Sequence, residues 1–231
     1  MDSLVAVAIH DAKNSLNALG VWLDRARHEA TATGCKTVSP ALEMATEITV
    51  ALTGQLVELL ALYRVGEGSL RMAVEDHSLA DFLEDLMSEV RGASAEKAVL
   101  VIETDFAAAT EIGEWAFDAY LVRFVLLDAL RNARRHARQA IRFSLVSQHA
   151  GGLCFSVEDD GSGYPDDILR SAAGGGAADS SVMSATSSGL GLTFARVIAG
   201  SHKAPGDQHG RLELANDGLG KGGARFSLLL P

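Results

Sequence analysis

Val157-Glu158-Asp159-Asp160-Gly161-Ser162-Gly163-Tyr164-Pro165 reads as a strand that ends on a carboxylate and breaks into a glycine turn closed by proline. Phe155 and Val157 alternate into it, and glycine lets a backbone come close to a flat ligand. Asp-Gly turns also close ordinary hairpins, so the stretch takes its meaning from its companions. Upstream, Leu130-Arg131-Asn132-Ala133-Arg134-Arg135-His136 lies in a helical pattern, and downstream Ser188-Gly189-Leu190-Gly191-Leu192 opens another. An Asn-bearing helix, an Asp-Gly-x-Gly strand end and a Gly-x-Gly helix start, in that order, point to a nucleotide site.

The pattern around these boxes divides the chain. Residues 3–33 form one expected helix, with Ile9, Leu16, Leu19, Leu23, Ala26 and Ala30 on a single stripe. Thr31–Pro40 breaks it, with Gly34 suited to a helix C-terminus and Ser39-Pro40 to a cap and first turn. A second helix is expected from Pro40 to about Arg64, striped by Ala41, Ala45, Ile48, Leu52, Leu56, Leu59 and Tyr63. Two such helices make an antiparallel hairpin whose stripes are too wide for one hairpin to cover. A second copy completing a four-helix bundle is the simplest partner.

Val65–Ser69 reads as a linker, so the domains are placed at residues 1–65 and 66–231. The second part alternates short strands near 70–74, 99–104, 140–148, 153–159, 210–216 and 223–230 with helices near 78–91, 116–138 and 191–201. Helices covering a mixed sheet describe an α/β sandwich. The fold class is therefore α+β, a helical hairpin followed by an α/β sandwich. Ser171–Ser188, rich in Gly, Ala and Ser, separates two of these elements.

Composition narrows the partners. Over 231 residues, 48 % hydrophobic content supports folded cores and the formal net charge of −10 opposes nucleic acid or anionic membrane as a partner. Uninterrupted apolar runs fall short of the ~20 residues of a membrane span, and Asp2 and Asp11 argue against a signal peptide. Cys35 and Cys154 match neither a metal spacing nor a disulfide framework, which suits a reducing, cytoplasmic compartment.

Each box has a chemical reason. Asp128 and Asn132 stand four apart on one helix face, and an amide oxygen suits Mg²⁺ that bridges phosphates. Arg135 and His136 add local positive charge, although a solvated polar face explains this stretch equally well. Asp159 can accept from an exocyclic amine such as adenine N6, with Gly161 and Gly163 leaving room for the ring. Gly189, Leu190, Gly191 and Leu192 open a helix whose free N–H groups suit a polyphosphate.

These three stretches resemble the ATP-binding boxes of sensor histidine kinases, within the ATPase superfamily shared with gyrase B and MutL. Arg196, Ser201-His202 and Gly222-Gly223-Ala224-Arg225-Phe226 extend the likeness, with Ala224 in place of Thr, across about residues 70–231. His10-Asp11-Ala12-Lys13-Asn14-Ser15-Leu16 is similar to the family's phospho-acceptor box, with Ser15 in place of proline. The resemblance implies ATP and Mg²⁺ as cofactors, Asn132 as metal residue, and His10 as phosphoryl acceptor. Asp11 would orient the imidazole and Asn14 a water. It also implies a homodimer, a response-regulator receiver domain as partner, and input from a separate sensor protein or a longer chain. The phenylalanine-bearing box between the glycine boxes is missing, and Ala172–Ala178 stands there. Two other readings stay open: a phosphotransfer or phosphatase hub with a weak ATP site, and an ATP-dependent regulatory binding module.

Overall fold

The computed structural model describes residues 2–32, 39–92, 100–148, 151–173 and 189–231. It splits into two compact units, Met1–Leu70 and Arg71–Pro231. The first is a helical hairpin, α1 (Asp2–Ala32) against α2 (Ser39–Gly66). The expected break at Thr31–Pro40 lies, for residues 33–38, outside the described residues. Leu16 and Leu23 are half-buried and Val57, Leu60 and Ala61 buried. Leu19, Ile48, Leu52 and Leu59, on the stripes that one hairpin cannot cover, are exposed, together with Val21, Trp22, Met44 and Val50.

Met44–Gly66 within α2 has 23 residues and is long and apolar enough, by length and composition alone, to cross a membrane, a property it shares with buried core helices. Arg64 lies inside that stretch, as does buried Glu58.

The second unit is built on a five-stranded sheet of order β2-β4-β5-β9-β8. Its strands are β2 (Val101–Asp105), β4 (Ala140–Ser147), β5 (Leu153–Asp159), β8 (Arg211–Ala215) and β9 (Arg225–Leu230). Only β2 runs parallel to its neighbour; the other pairs are antiparallel. Helices α3 (Leu79–Gly92), α5 (Ala119–His136) and α7 (Gly189–Ser201) pack on one another, α5 and α7 also lying on the strands. This is the expected α/β sandwich. Strand alternation sends Phe143, Leu145, Phe155, Val157, Phe226 and Leu228 into the core. Phe155 joins Phe82 and Phe117 in an edge-to-face cluster with centroids 5.0–6.2 Å apart. Asp159 shares the parity of Phe155 and Val157, so the strand period alone turns its carboxylate inward.

Several boundaries differ from expectation. Residues 70–74 form no strand; β1 (Glu75–Ser78) follows them and pairs antiparallel with β3 (Glu114–Phe117). The long helix begins at Ala119 and not near 116, because Asp118 caps it by accepting from the Leu121 N–H at 2.9 Å. Short helices α4 (Ala107–Ile112) and α6 (Asp166–Ala173) were not anticipated. Between α7 and β8 lies a small hairpin of β6 (Lys203–Ala204) and β7 (Gln208–His209).

His202, just beyond α7, anchors the start of α5. Its Nε2 accepts from the Asp118 N–H at 3.0 Å, and its Nδ1 lies 2.8 Å from the Ile198 carbonyl, which fixes the neutral Nδ1–H form. Asp118 in turn accepts from the Ala73 N–H at 2.9 Å. Burial lowers the basicity of His202, outweighing the Ile198 carbonyl and the Asp118 carboxylate, which favour protonation. The unfolded chain therefore binds the proton first as pH falls, so stability is full above the ordinary histidine range and declines below it. The thermal midpoint is expected to drop between about pH 7.5 and about pH 5.5, and to drop less in His202→Gln. An equal drop in both proteins removes His202 as the cause.

Candidate functional site

The site is built where β5 ends against α5. Asp159 is buried at 5 % exposure and held on every side by main chain. Its N–H donates to the Ala224 carbonyl at 2.9 Å, and its carbonyl accepts from the Leu219 N–H at 3.0 Å. Oδ1 accepts from the Gly161 N–H at 2.7 Å and the Ala224 N–H at 3.3 Å. Among the described residues Oδ2 receives no hydrogen bond, so a ligand donor can take it. Ala224, where the resembling family has Thr, contributes through its backbone, so this anchor survives the change of side chain.

Asp160 staples the strand end to the α5–β4 connection. Its carboxylate accepts from the Arg138 N–H at 2.8 Å and the Gln139 N–H at 3.1 Å. Slight desolvation opposes ionisation, but the N–H groups of Gln139, Ala140 and Arg138 hold the carboxyl below its usual range.

The two glycines of the turn are each closely approached by the protein itself. A Cβ on Gly161 would fall 2.5 Å from the His136 carbonyl oxygen, and Gly163 has φ +77 with Asn216 Oδ1 2.6 Å from its missing Cβ. Both positions are thus held to glycine by the protein's own close approach. Two further glycines, Gly218 and Gly223, close over Asp159; a Cβ on Gly223 would meet the Asp159 carbonyl oxygen at 1.8 Å. The bidentate pair of Arg225 with Asp217, at 2.8 Å, fastens the same loop.

On α5, the Asn132 amide nitrogen donates to Asp128 Oδ2 at 3.1 Å. This bond orients the amide and uses its nitrogen, leaving the oxygen, the donor type a hard cation prefers, for another partner. Burial raises the Asp128 carboxyl above its usual range, against the opposing charges of Arg131 and Arg135 and the Asn132 bond. The carboxylate and the amide oxygen therefore fit a divalent cation, whose charge would offset the cost of ionising Asp128. Arg135 and His136 are exposed in the last helical turn, where basic residues also complement the helix dipole.

The structure thus gathers Asp128, Asn132, Asp159, Gly161 and Gly163 at one junction. Gly189, Leu190, Gly191 and Leu192 form the first turn of α7, which packs on α5. Among the described residues no hydrogen bond joins that turn to Asp159 or Asn132. Residues 174–188 of the Gly-, Ala- and Ser-rich stretch lie outside the described residues. In the other unit, His10, Asp11 and Asn14 share α1; Asn14 is exposed, and the side chains of His10 and Asp11 lie outside those described. The sequence reading missed Asn216 and the Asp217–Gly223 loop, which four glycines just before a strand could have signalled. Tyr164, quoted within the motif, received no role. A separate cavity of about 390 Å³, lined by Asp76, His77, Phe82, Asp85, Tyr120 and Arg123 among others, includes none of these residues.

The family model of histidine kinase-, DNA gyrase B-, and HSP90-like ATPases matches residues 117–231. Among solved structures the chain is similar to the Acinetobacter baumannii histidine kinase AdeS, at 18 % identity and TM-score 0.57, covering 91 % of this chain and 94 % of that one. The catalytic domain of histidine kinase ThkA aligns at 14 % identity and TM-score 0.51, over 69 % of this chain and 96 % of that one. Full-length ShkA in complex with AMPPNP aligns at 19 % and TM-score 0.58, over 100 % of this chain and 46 % of that one. Such identities establish the fold, and no curated protein matches the chain.

The packing around Asp159 gives a sharp contrast. Gly223→Ala is expected to cost about 3 kcal/mol. Gly200→Ala, in α7 with nothing within 4 Å of the added carbon, should be neutral or gain up to about 1 kcal/mol. Urea unfolding followed by circular dichroism measures both, and equal effects would contradict the close approach.

Proposed function

Since residues 117–231 belong to the histidine kinase-, DNA gyrase B-, and HSP90-like ATPases, we propose that this chain is a protein-histidine kinase that phosphorylates His10 from ATP. The observation that carries the reading is the buried Asp159 carboxylate, clamped through one oxygen and open at the other. It lies beside a helix that presents an oriented amide oxygen. Asp159 would accept from the adenine amine, and Asn132, with Asp128 behind it, would hold Mg²⁺, which supplies charge neutralisation for the phosphates. The free N–H groups at the start of α7 would meet the polyphosphate.

His10, one turn from Asn14 on α1, supplies the nucleophile. A ring nitrogen forms the P–N bond as the bond from the γ-phosphorus to the bridging oxygen breaks and ADP leaves. The phosphoryl group then passes to a carboxylate oxygen of an aspartate on a receiver domain, regenerating neutral imidazole. Positioning and electrostatics carry such transfers. A cytoplasmic setting accords with the free, buried Cys154.

His10→Gln is expected to abolish acid-labile label from γ-labelled ATP while leaving binding of an ATP analogue intact. Retained label overturns the assignment. Bound analogue with no label in the wild type favours phosphotransfer without kinase activity.

The exposed Leu19, Ile48, Leu52 and Leu59 belong to stripes that a second copy would cover, giving a four-helix bundle. Light scattering is expected to report a dimer for the wild type and a monomer for Ile48→Glu/Leu52→Glu. A monomeric wild type at micromolar concentration rules the bundle out.

A further inference from the structure

We propose that α6 is a strut between the two halves of this site, with Asn216 and Arg196 as the positioning residues that hold its ends. The inference rests on the nucleotide-binding reading above, in which Asp159 takes the base and the first turn of α7 the phosphates. One ligand must reach both, so the spacing of the halves matters.

The near end of the strut is set by Asn216, directly after β8. Asn216 Oδ1 accepts from the Tyr164 N–H at 2.7 Å, and its Nδ2 donates to the Tyr164 carbonyl at 2.9 Å. An amide that takes both main-chain groups of one residue imitates a neighbouring strand, so residue 164 is held as if paired in a sheet. Gly163 makes room for this clasp, because a Cβ there would lie 2.6 Å from Asn216 Oδ1. The Pro165 carbonyl then accepts from the Ile168 and Leu169 N–H groups at 3.1 and 3.2 Å, which starts α6. On the other side of the turn, the Gly161 N–H is bound to Asp159 Oδ1. The clasp therefore lies between the residue that would read the base and the helix that follows it.

The far end is set by Arg196, on α7. Its Nη2 donates to the Ser171 carbonyl at 3.2 Å. Ser171 lies in the last turn of α6, where carbonyls lack a partner within the helix and the dipole favours a cation. Between its ends α6 lies against β8, with Ile168 and Leu169 half-buried. A hydrogen-bonded route thus runs from the turn beside Asp159, through α6, to the helix whose first turn would meet the phosphates.

Both anchors are open to solvent, so water can replace either side chain and the fold survives its loss. What changes is the freedom of the turn relative to α7. A ligand that spans both halves must then bear the cost of ordering them, whereas one that touches a single half does not.

Calorimetry on the full chain measures AMPPNP, and competition against it measures adenosine, which reaches only the base half. Arg196→Met is expected to weaken AMPPNP about threefold and to leave adenosine unchanged, which also shows the variant to be folded. Arg196→Lys, which keeps a cationic donor, should restore most of the loss. Asn216→Ala should weaken both ligands, because the clasp also borders the turn that carries Asp159. In the double variant the loss for AMPPNP should be smaller than the product of the single losses, since a strut freed at one end gains little from an anchor at the other. Unchanged AMPPNP binding in Arg196→Met, an equal loss of adenosine in it, or multiplicative losses in the double variant overturn the inference while the nucleotide site stands. A wild type that binds AMPPNP but is not competed by adenosine overturns it as well. A wild type that binds neither removes the site reading and this inference together.

Discussion

The Asp159 carboxylate and its main-chain clamps are the constraint on which the rest of the second unit depends. A carboxylate at 5 % exposure is costly unless hydrogen-bonded. Satisfying it takes N–H groups from the following turn and from Ala224 at the start of β9. The loop before β9 must therefore come down onto the end of β5. Gly218 and Gly223 are the residues that allow it, because any side chain there would strike the main chain of Asp159 or Ala224. One buried charge thus dictates a strand end, a turn and a glycine-rich loop.

A second buried polar set does for α5 what Asp159 does for β5. Asp118 gathers Ala73, Leu121 and His202, fixing where the helix begins. Asp160 holds the connection that follows its end. With both ends set, the 18 residues of α5 place Asp128 and Asn132 at a defined height above the sheet. The helix start is set by hydrogen bonds to distant segments, and its interior by ordinary apolar packing.

Local patterns made much of this legible. The stripes of α1 and α2, the alternation along β4 and β5, and the order of the three boxes each rest on residues close in sequence, and they gave the right architecture. What escaped depends on distant partners. β1 and β3 are four residues each and owe their existence to pairing across 36 to 42 positions, so Ala116-Phe117 merged into the helix that follows. The clasp of Asn216 on Tyr164 spans 52 residues, and no local propensity announces it. The close protein approach to Gly161 and Gly163 also depends on distant segments, His136 and Asn216. A missing Cβ shows that something comes close, and only the fold shows whether that is a ligand or the protein's own carbonyl.

β9 lies inside the sheet, between β5 and β8, although it is the last strand in sequence. The carboxylate that would read the base is clamped by residue 224, directly ahead of that strand. During synthesis, α5 and β4–β5 can form early from nearby residues, but the recognition edge has no shape until β9 inserts. Until β9 pairs with β5, β8 has no partner in the sheet and Asp159 lacks its clamp from Ala224. Folding of this domain and acquisition of its binding edge are one late event.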